Sequence, residues 1–154
     1  MIHQVLFICH GNICRSPMAE MIMKHLLREK GLEKEFYVAS AATSTEEIGN
    51  PVYPPARAEL ARHGINTTGK YAVQLTRADY EKYDLLIPMD SMNVRNMMKI
   101  IGSDPDGKVK KLMDYTSRGG DVADPWFTGE FGITYRDIFE GCTCLLDELT
   151  ENKI

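Results

Sequence analysis

A chain of 154 residues, 44% hydrophobic and 26% charged, has the length of one domain with a full core and the composition of an ordinary globular protein. Its formal net charge of −4, with no basic stretch beyond Lys108, Lys110 and Lys111, argues against a nucleic-acid partner. No apolar run has the length of a membrane span, and Met1-Ile2-His3-Gln4 is polar and leads straight into a strand, so no membrane partner and a cytoplasmic location are expected.

Strand and helix patterns alternate along the chain, which predicts an α/β fold. The expected architecture is a single domain over 1–154, a three-layer sandwich with a four-stranded parallel sheet flanked by helices. The first strand falls at 5–8, nearly all apolar, as a parallel strand covered on both faces must be. A helix opening with Pro17 follows, with Ser16 suited to cap it and Met18, Ile22 and Leu26 along one face. Residues 36–39 form the second strand, a helix over 55–63 ends at Gly64, and 76–80 give a short helical turn. The third strand falls at 85–89. Asp90-Ser91 then start a helix whose Val94, Met97, Met98 and Ile101 repeat at helical spacing, a stripe read as core. A weaker fourth strand is expected at 109–113, at an edge, with its lysines on a solvated face. The last helix carries Phe131, Tyr135, Ile138, Phe139, Cys142, Leu145, Leu146 and Leu149 at three-and-four spacing. Two irregular stretches, 41–54 and 115–130, exceed ordinary loop lengths and are expected to serve function.

The four cysteines, at 9, 14, 142 and 144, do not form the spacing of a disulfide framework, and no Cys-X2-Cys pair accompanies the scattered histidines 3, 10, 25 and 63. Thiols of a reducing compartment are expected, without zinc. Cys142 and Cys144 stand two apart on the last helix, which places Cys142 in the core and leaves Cys144 partly exposed.

The chemistry concentrates at Val5-Leu6-Phe7-Ile8-Cys9-His10-Gly11-Asn12-Ile13-Cys14-Arg15-Ser16, where a buried strand ends at Cys9 and a helix begins a few residues later: a phosphate loop after the first strand. Such a loop aims the backbone N–H groups of His10, Gly11, Asn12, Ile13 and Cys14 at one spot, and the helix dipole favours negative charge there. Arg15 can add a planar two-pronged clamp on phosphoryl oxygens. The same positive surroundings favour thiolate over thiol at Cys9, which makes it a nucleophile. A buried structural cysteine is the plainer reading of Cys9 alone. The strand before it, the Gly11-Asn12 turn and the helix start after it favour the phosphate loop.

Ligands of open α/β sheets bind at the carboxyl ends of the strands, so the loops after the later strands converge on Cys9. Expelling an alkoxide or phenoxide from phosphorus is faster with an acid to protonate it. Asp124, in Ala-Asp-Pro-Trp-Phe, is the leading choice, because Pro125 stiffens the chain and the aromatics can shield a carboxyl. Asp114, Asp121 and Glu130 are runners-up.

Cys-His-Gly-Asn-Ile-Cys-Arg-Ser-Pro-Met-Ala-Glu near the start and Asp-Pro-Trp-Phe-Thr-Gly-Glu-Phe late in the chain resemble the low-molecular-weight protein tyrosine phosphatases. The likeness extends over nearly all of the chain through Ser40-Ala41-Ala42, Pro55-Ala56-Arg57-Ala58, His63-Gly64-Ile65 and Met89-Asp90, and both ends match a free-standing family member. It implies hydrolysis of protein phosphotyrosine and small aryl phosphates through a cysteinyl-phosphate, with inorganic phosphate as product and no cofactor or metal. Cys9 is then the nucleophile, Arg15 the clamp, and Asp124 the acid and later the base. Ser16 matches the serine that hydrogen-bonds the nucleophile, and Asn12 and Ser40 match the pair that holds the loop in shape. Members with a second loop cysteine form a reversible disulfide, which bears on Cys14 beside Cys9.

Two positions depart from the family pattern. His10 stands where leucine is common, and Glu46-Glu47-Ile48 replaces an aromatic of the substrate slot. Trp126 and Phe127 are left as most of the aromatic wall, with Glu46 and Glu47 set to disfavour acidic peptides. Three rival enzymes share the fold or the loop. Arsenate reductase needs cysteines after strand three, and none lies between Cys14 and Cys142. Protein arginine phosphatases carry threonine where Ile13 stands. A sugar-transport phosphocarrier would need neither Arg15 nor Asp124, and a pure binding module would need no nucleophile.

Overall fold

The computed structural model describes residues 2–151; Met1 and residues 152–154, including the two ends of the expected 1–154 domain, lie outside the described residues. Three parallel strands, β1 (His3–Cys9), β2 (Phe36–Ala42) and β3 (Leu85–Pro88), form a sheet in the order β2-β1-β3. β1 is central and buried on both faces from Val5 to Cys9, and its two sets of alternating side chains enter different cores. Val5, Phe7 and Cys9 pack with α1 (Arg15–Lys30), α2 (Pro54–Ala61) and α6 (Phe131–Glu151). Leu6 and Ile8 pack with Tyr80 of α3 (Asp79–Lys82) and Met97 and Ile101 of α4 (Ser91–Ile101). These are the three layers that the alternation of strand and helix predicts. Among the described residues no helix is long and apolar enough to cross a membrane.

The expected fourth strand at 109–113 does not form. Val109 makes one isolated parallel bridge to Leu86, through Leu86 N–H to the Lys108 carbonyl (3.0 Å) and Lys110 N–H to the Leu86 carbonyl (3.3 Å). The Asp104 carboxylate takes the N–H groups of Lys108 (2.7 Å) and Val109 (3.1 Å), and the chain then turns into a 3₁₀ segment at Leu112–Tyr115. Leu112 and Met113 gain more from burial in the core beneath α6 than from extending a ladder. The lysines also find partners: Lys110 lies over the Tyr115 ring and Lys111 pairs with Asp121.

Smaller departures have local causes. Helix α2 starts one residue before the expected 55 and unwinds ahead of His63, with Gly64 at φ 74° reversing the chain. The turn expected at 76–80 becomes α3, because the Asp79 carboxylate takes the Thr76 N–H (2.8 Å). The second long loop is interrupted by a one-turn helix, α5 (Pro125–Thr128). Helix α4 starts as its sequence suggests, with Asp90 accepting from Asn93 N–H at 2.7 Å. Cys142 is buried and Cys144 partly exposed, as the helical spacing requires.

Helix α6 crosses the 3₁₀ segment closely at Gly141, where an added Cβ would lie 2.5 Å from Leu112 Cγ. Leu112 is fully buried, and three of its side-chain atoms lie within 3.0 Å of that Cβ position. Gly141→Ala is therefore expected to lower stability by about 1–3 kcal/mol from overpacking, offset by about 1 kcal/mol of helix propensity. Urea denaturation checks it, and a stabilised variant would show that this crossing has slack.

Candidate active site

Strand β1 delivers Cys9 to the carboxyl edge of the sheet, and the next five residues wrap around its sulfur. Asn12 adopts φ 58°, the left-handed conformation its sequence context suggests, and this turns its own N–H onto Cys9 Sγ at 3.3 Å. Ser16 N–H points at the same sulfur from 3.4 Å, and the Ser16 hydroxyl lies 2.9 Å away.

Helix α1 begins earlier than expected. Arg15 is its first residue, Cys14 occupies the cap position without a side-chain cap bond, and Ser16 and Pro17 lie inside the first turn. Ser16 is therefore not the cap. Its hydroxyl is turned to Cys9, which leaves the first turn's N–H groups available to an anion.

Arg15 is 3% exposed, so its charge must be met by protein. Nη1 donates to Asp90 Oδ2 at 2.7 Å and to the Val122 carbonyl at 2.8 Å, and Nη2 lies 3.5 Å from Asp124 Oδ2. Burial opposes the charge, but the negative charge of Cys9 and the Asp90 hydrogen bond outweigh it and hold the guanidinium above its ordinary value. Asp90 is the residue that sequence reasoning missed in this role. Its carboxylate serves two ends, capping α4 through Oδ1 and holding Arg15 through Oδ2. An Asp-Ser helix start directly after a strand was the available signal.

Asp124 caps α5, accepting from Trp126 N–H at 3.0 Å, with Pro125 in the first helical position. That bond fixes the carboxyl at the mouth of a cavity of about 190 Å³. Cys9, His10, Gly11, Ile13, Cys14, Arg15, Glu46, Glu47, Trp126 and Phe127 line it with Asp124. A Cβ at Gly11 would stand 3.4 Å from Glu47 Cγ, an ordinary contact distance. Glu46 lies 3.5 Å from His10 Nε2. Trp126 is backed by the Tyr53 ring at 4.8 Å, a support not anticipated from sequence, while Phe127 is 84% exposed at the rim.

Asn12 and Ser40 meet as the resemblance implies, with Asn12 Nδ2 donating to Ser40 Oγ at 2.9 Å. Cys14 is a free, buried thiol pushed up to about 12, by burial first and then by the negative charges of Cys9 and Asp124. The runner-up acids do not line the cavity. A larger cleft of about 440 Å³ beside α2 is lined by neither cysteine nor carboxylate.

A family model described as low molecular weight phosphotyrosine protein phosphatase matches residues 4–154. The chain belongs to that family. It is 38% identical over 151 residues to the low molecular weight protein-tyrosine-phosphatase YfkJ of Bacillus subtilis, covering 97% of each chain. It is 33% identical over 152 residues to the low molecular weight phosphotyrosine protein phosphatase of Gallus gallus, covering 96% of each. The crystal structure of YfkJ superposes with a TM-score of 0.96 over 100% of this chain and 98% of that one, at 36% identity. Vibrio vulnificus Wzb in complex with benzylphosphonate superposes with a TM-score of 0.84 over 96% and 99%, at 25% identity.

Because Asp90 meets the buried guanidinium, Asp90→Asn should preserve the α4 cap while weakening the hold on Arg15. A loss of about 1–3 kcal/mol in stability and about tenfold or more in affinity for inorganic phosphate is expected. Chemical denaturation and competitive inhibition by phosphate measure the two, and unchanged phosphate affinity would mean that Asp90 does not position Arg15.

Proposed function

We propose that the chain, as one phosphatase domain over 1–154, hydrolyses protein phosphotyrosine and small aryl phosphates through a cysteinyl-phosphate on Cys9. The observation that carries this reading is the convergence on one cavity of a sulfur facing backbone N–H donors, a buried arginine and a carboxyl fixed at the mouth.

The phosphoryl dianion lies against the loop N–H groups and the start of α1, and its oxygen replaces the long Nη2 contact to Asp124 while Asp90 and Val122 keep Nη1. Cys9 thiolate attacks phosphorus, the P–O bond to the phenol breaks, and Asp124 gives its proton to the leaving oxygen. Asp124 then takes a proton from a water that attacks phosphorus, the P–S bond breaks, and inorganic phosphate leaves with the thiolate restored. Loop amides, Arg15 and the helix start supply the positive field for the phosphoryl charge. His10, Gly11, Ile13 and Cys14 line the phosphate loop, and Asn12, Ser16 and Ser40 support it.

Trp126 and Phe127 flank the ring of the substrate, and Glu46 and Glu47 face them. The benzylphosphonate bound by the Vibrio vulnificus relative is an aryl ligand of similar shape. Ile13 at the cavity favours a flat aryl ester and has no hydroxyl for a guanidinium, against the arginine phosphatase reading. The segment after β3 carries Met89 and Asp90 and no cysteine for an arsenate relay. Four free cysteines among the described residues suit a reducing cytoplasm.

Cys9→Ser and Arg15→Ala are each expected to abolish aryl phosphate hydrolysis in a folded protein, and turnover by folded Cys9→Ser would sink the mechanism. Asp124→Ala should lose about 10²-fold or more on phosphotyrosine and much less on an ester with a good leaving group, which needs no proton. Equal losses on both would point to a different acid.

Matched peptides bearing phosphotyrosine, phosphoserine and phosphoarginine, with arsenate plus thioredoxin in parallel, test the substrate class. Phosphotyrosine turnover should dominate, and alanine at both Trp126 and Phe127 should reduce it selectively. A phosphoserine preference, or phosphotyrosine kinetics unchanged by the double variant, would remove the aromatic wall from the site.

A further inference from the structure

Behind the loop, away from the cavity, an unbroken line of buried polar groups leads from Cys9 into the body of α1. Asn12 Nδ2 donates to Ser16 Oγ at 2.7 Å and to Ser40 Oγ at 2.9 Å, and Ser40 Oγ donates to Glu20 Oε1 at 2.6 Å. Glu20 is buried, which a carboxylate tolerates only when its oxygens are matched. Lys24, one turn further along α1, donates to Oε2 at 2.6 Å. Lys70 reaches in from the segment after α2, placing Nζ 3.5 Å from Oε1 and donating to the Ser40 carbonyl at 3.1 Å. Burial pushes the Lys70 ammonium below its ordinary value, with Glu20 opposing that shift. Neither Glu20 nor Lys70 touches the cavity.

The direction of the hydrogen bonds follows from what each group can do. A carboxylate only accepts, so the Ser40 hydrogen goes to Glu20 and the Ser40 oxygen is left as an acceptor. Asn12 must then present its amide nitrogen to Ser40. Its Oδ1 takes Val73 N–H at 3.0 Å, which fixes the same orientation independently. The second amide hydrogen of Asn12 goes to Ser16 Oγ. With its oxygen accepting, Ser16 has its own hydrogen free, and the group in reach is Cys9 Sγ at 2.9 Å. The acceptor at one end of the chain thereby selects a donor at the other.

We propose that Glu20, paired with Lys70 and Lys24, is a positioning residue that orients the Ser40–Asn12–Ser16 chain so that Ser16 donates its hydroxyl hydrogen to Cys9 Sγ. Lys70 ties that orientation to the edge of β2 through the Ser40 carbonyl. The inference rests on Cys9 being the nucleophile, because an oriented donor matters only to a sulfur that must carry charge.

The test uses Glu20→Gln, which keeps the size of the side chain and puts an N–H among groups that need an acceptor, together with Lys70→Met and Lys70→Arg. Three quantities are read on each folded protein: the rate of Cys9 alkylation by iodoacetamide at one fixed pH, and kcat and KM for p-nitrophenyl phosphate. Glu20→Gln is expected to lower both the alkylation rate and kcat by about tenfold or more, with KM within about twofold, because the contacts to phosphate are untouched. Lys70→Met should shift both rates in the same direction by less, and Lys70→Arg should restore them. Combining Ser16→Ala with Glu20→Gln should add little to either single loss, since both remove the same donor.

Alkylation and kcat unchanged in Glu20→Gln and Lys70→Met, or full additivity with Ser16→Ala, would overturn the proposal. Should Glu20→Gln not fold, the Lys70→Met and Lys70→Arg pair decides, because a purely steric role would not distinguish them by Cys9 reactivity. Cys9→Ser separates the two levels. If it is inactive while Glu20→Gln is unaffected, only the orienting role fails, whereas if it retains turnover the reading of the site itself fails.

Discussion

The charge of Arg15 organises the site. A guanidinium buried to 3% exposure without partners would be costly by several kcal/mol, so the fold around it is constrained to bring oxygens to it. They come from the start of α4 at Asp90, from the backbone at Val122 and from the cap of α5 at Asp124. Two segments far apart in sequence, at 90 and at 122–124, are thereby fastened to the loop after β1. These contacts hold the start of α4 and the second long loop beside Cys9 at the sheet edge.

The loop itself trades local comfort for an available anion site. Asn12 occupies the left-handed region, and α1 forgoes a side-chain cap. Each feature costs about 1 kcal/mol in an ordinary protein. Here each turns an N–H toward Cys9 Sγ, and the buried Asn12–Ser40–Glu20 hydrogen bonds hold the arrangement. Polar networks of this kind stabilise when every member is matched, and among these groups each has a partner.

On the open side the cavity wall is graded. Trp126 leans on Tyr53, and Phe127 projects into solvent. With Glu46 and Glu47 also in the lining, the cavity carries one supported aromatic surface and two carboxylates besides Asp124. On the proposed reading, the phosphoryl group would be held by backbone and a buried arginine, and what it is attached to would meet exposed side chains of α5 and of the loop after β2.

Much of this was written locally in the chain. The apolar run at 5–8, the Gly11-Asn12 turn and Asp-Ser at 90–91 specify elements by neighbours in sequence, and those elements stand where the pattern puts them. That Cys9, Arg15 and Asp124 would meet at one cavity was legible because each lies in a short motif with its own chemical reason. What the sequence could not decide depended on contacts across the fold. The fourth strand gave way to a 3₁₀ turn because Asp104 took its amides and α6 covered Leu112. Ser16 left the cap position because Cys9, seven residues earlier, drew its hydroxyl. Asp90, Glu20 and Lys70 gained their roles only when folding brought them to Arg15 and Ser40, since a buried charge or hydroxyl is partnered by whatever lies within hydrogen-bond reach in space, and separation along the chain carries no record of it.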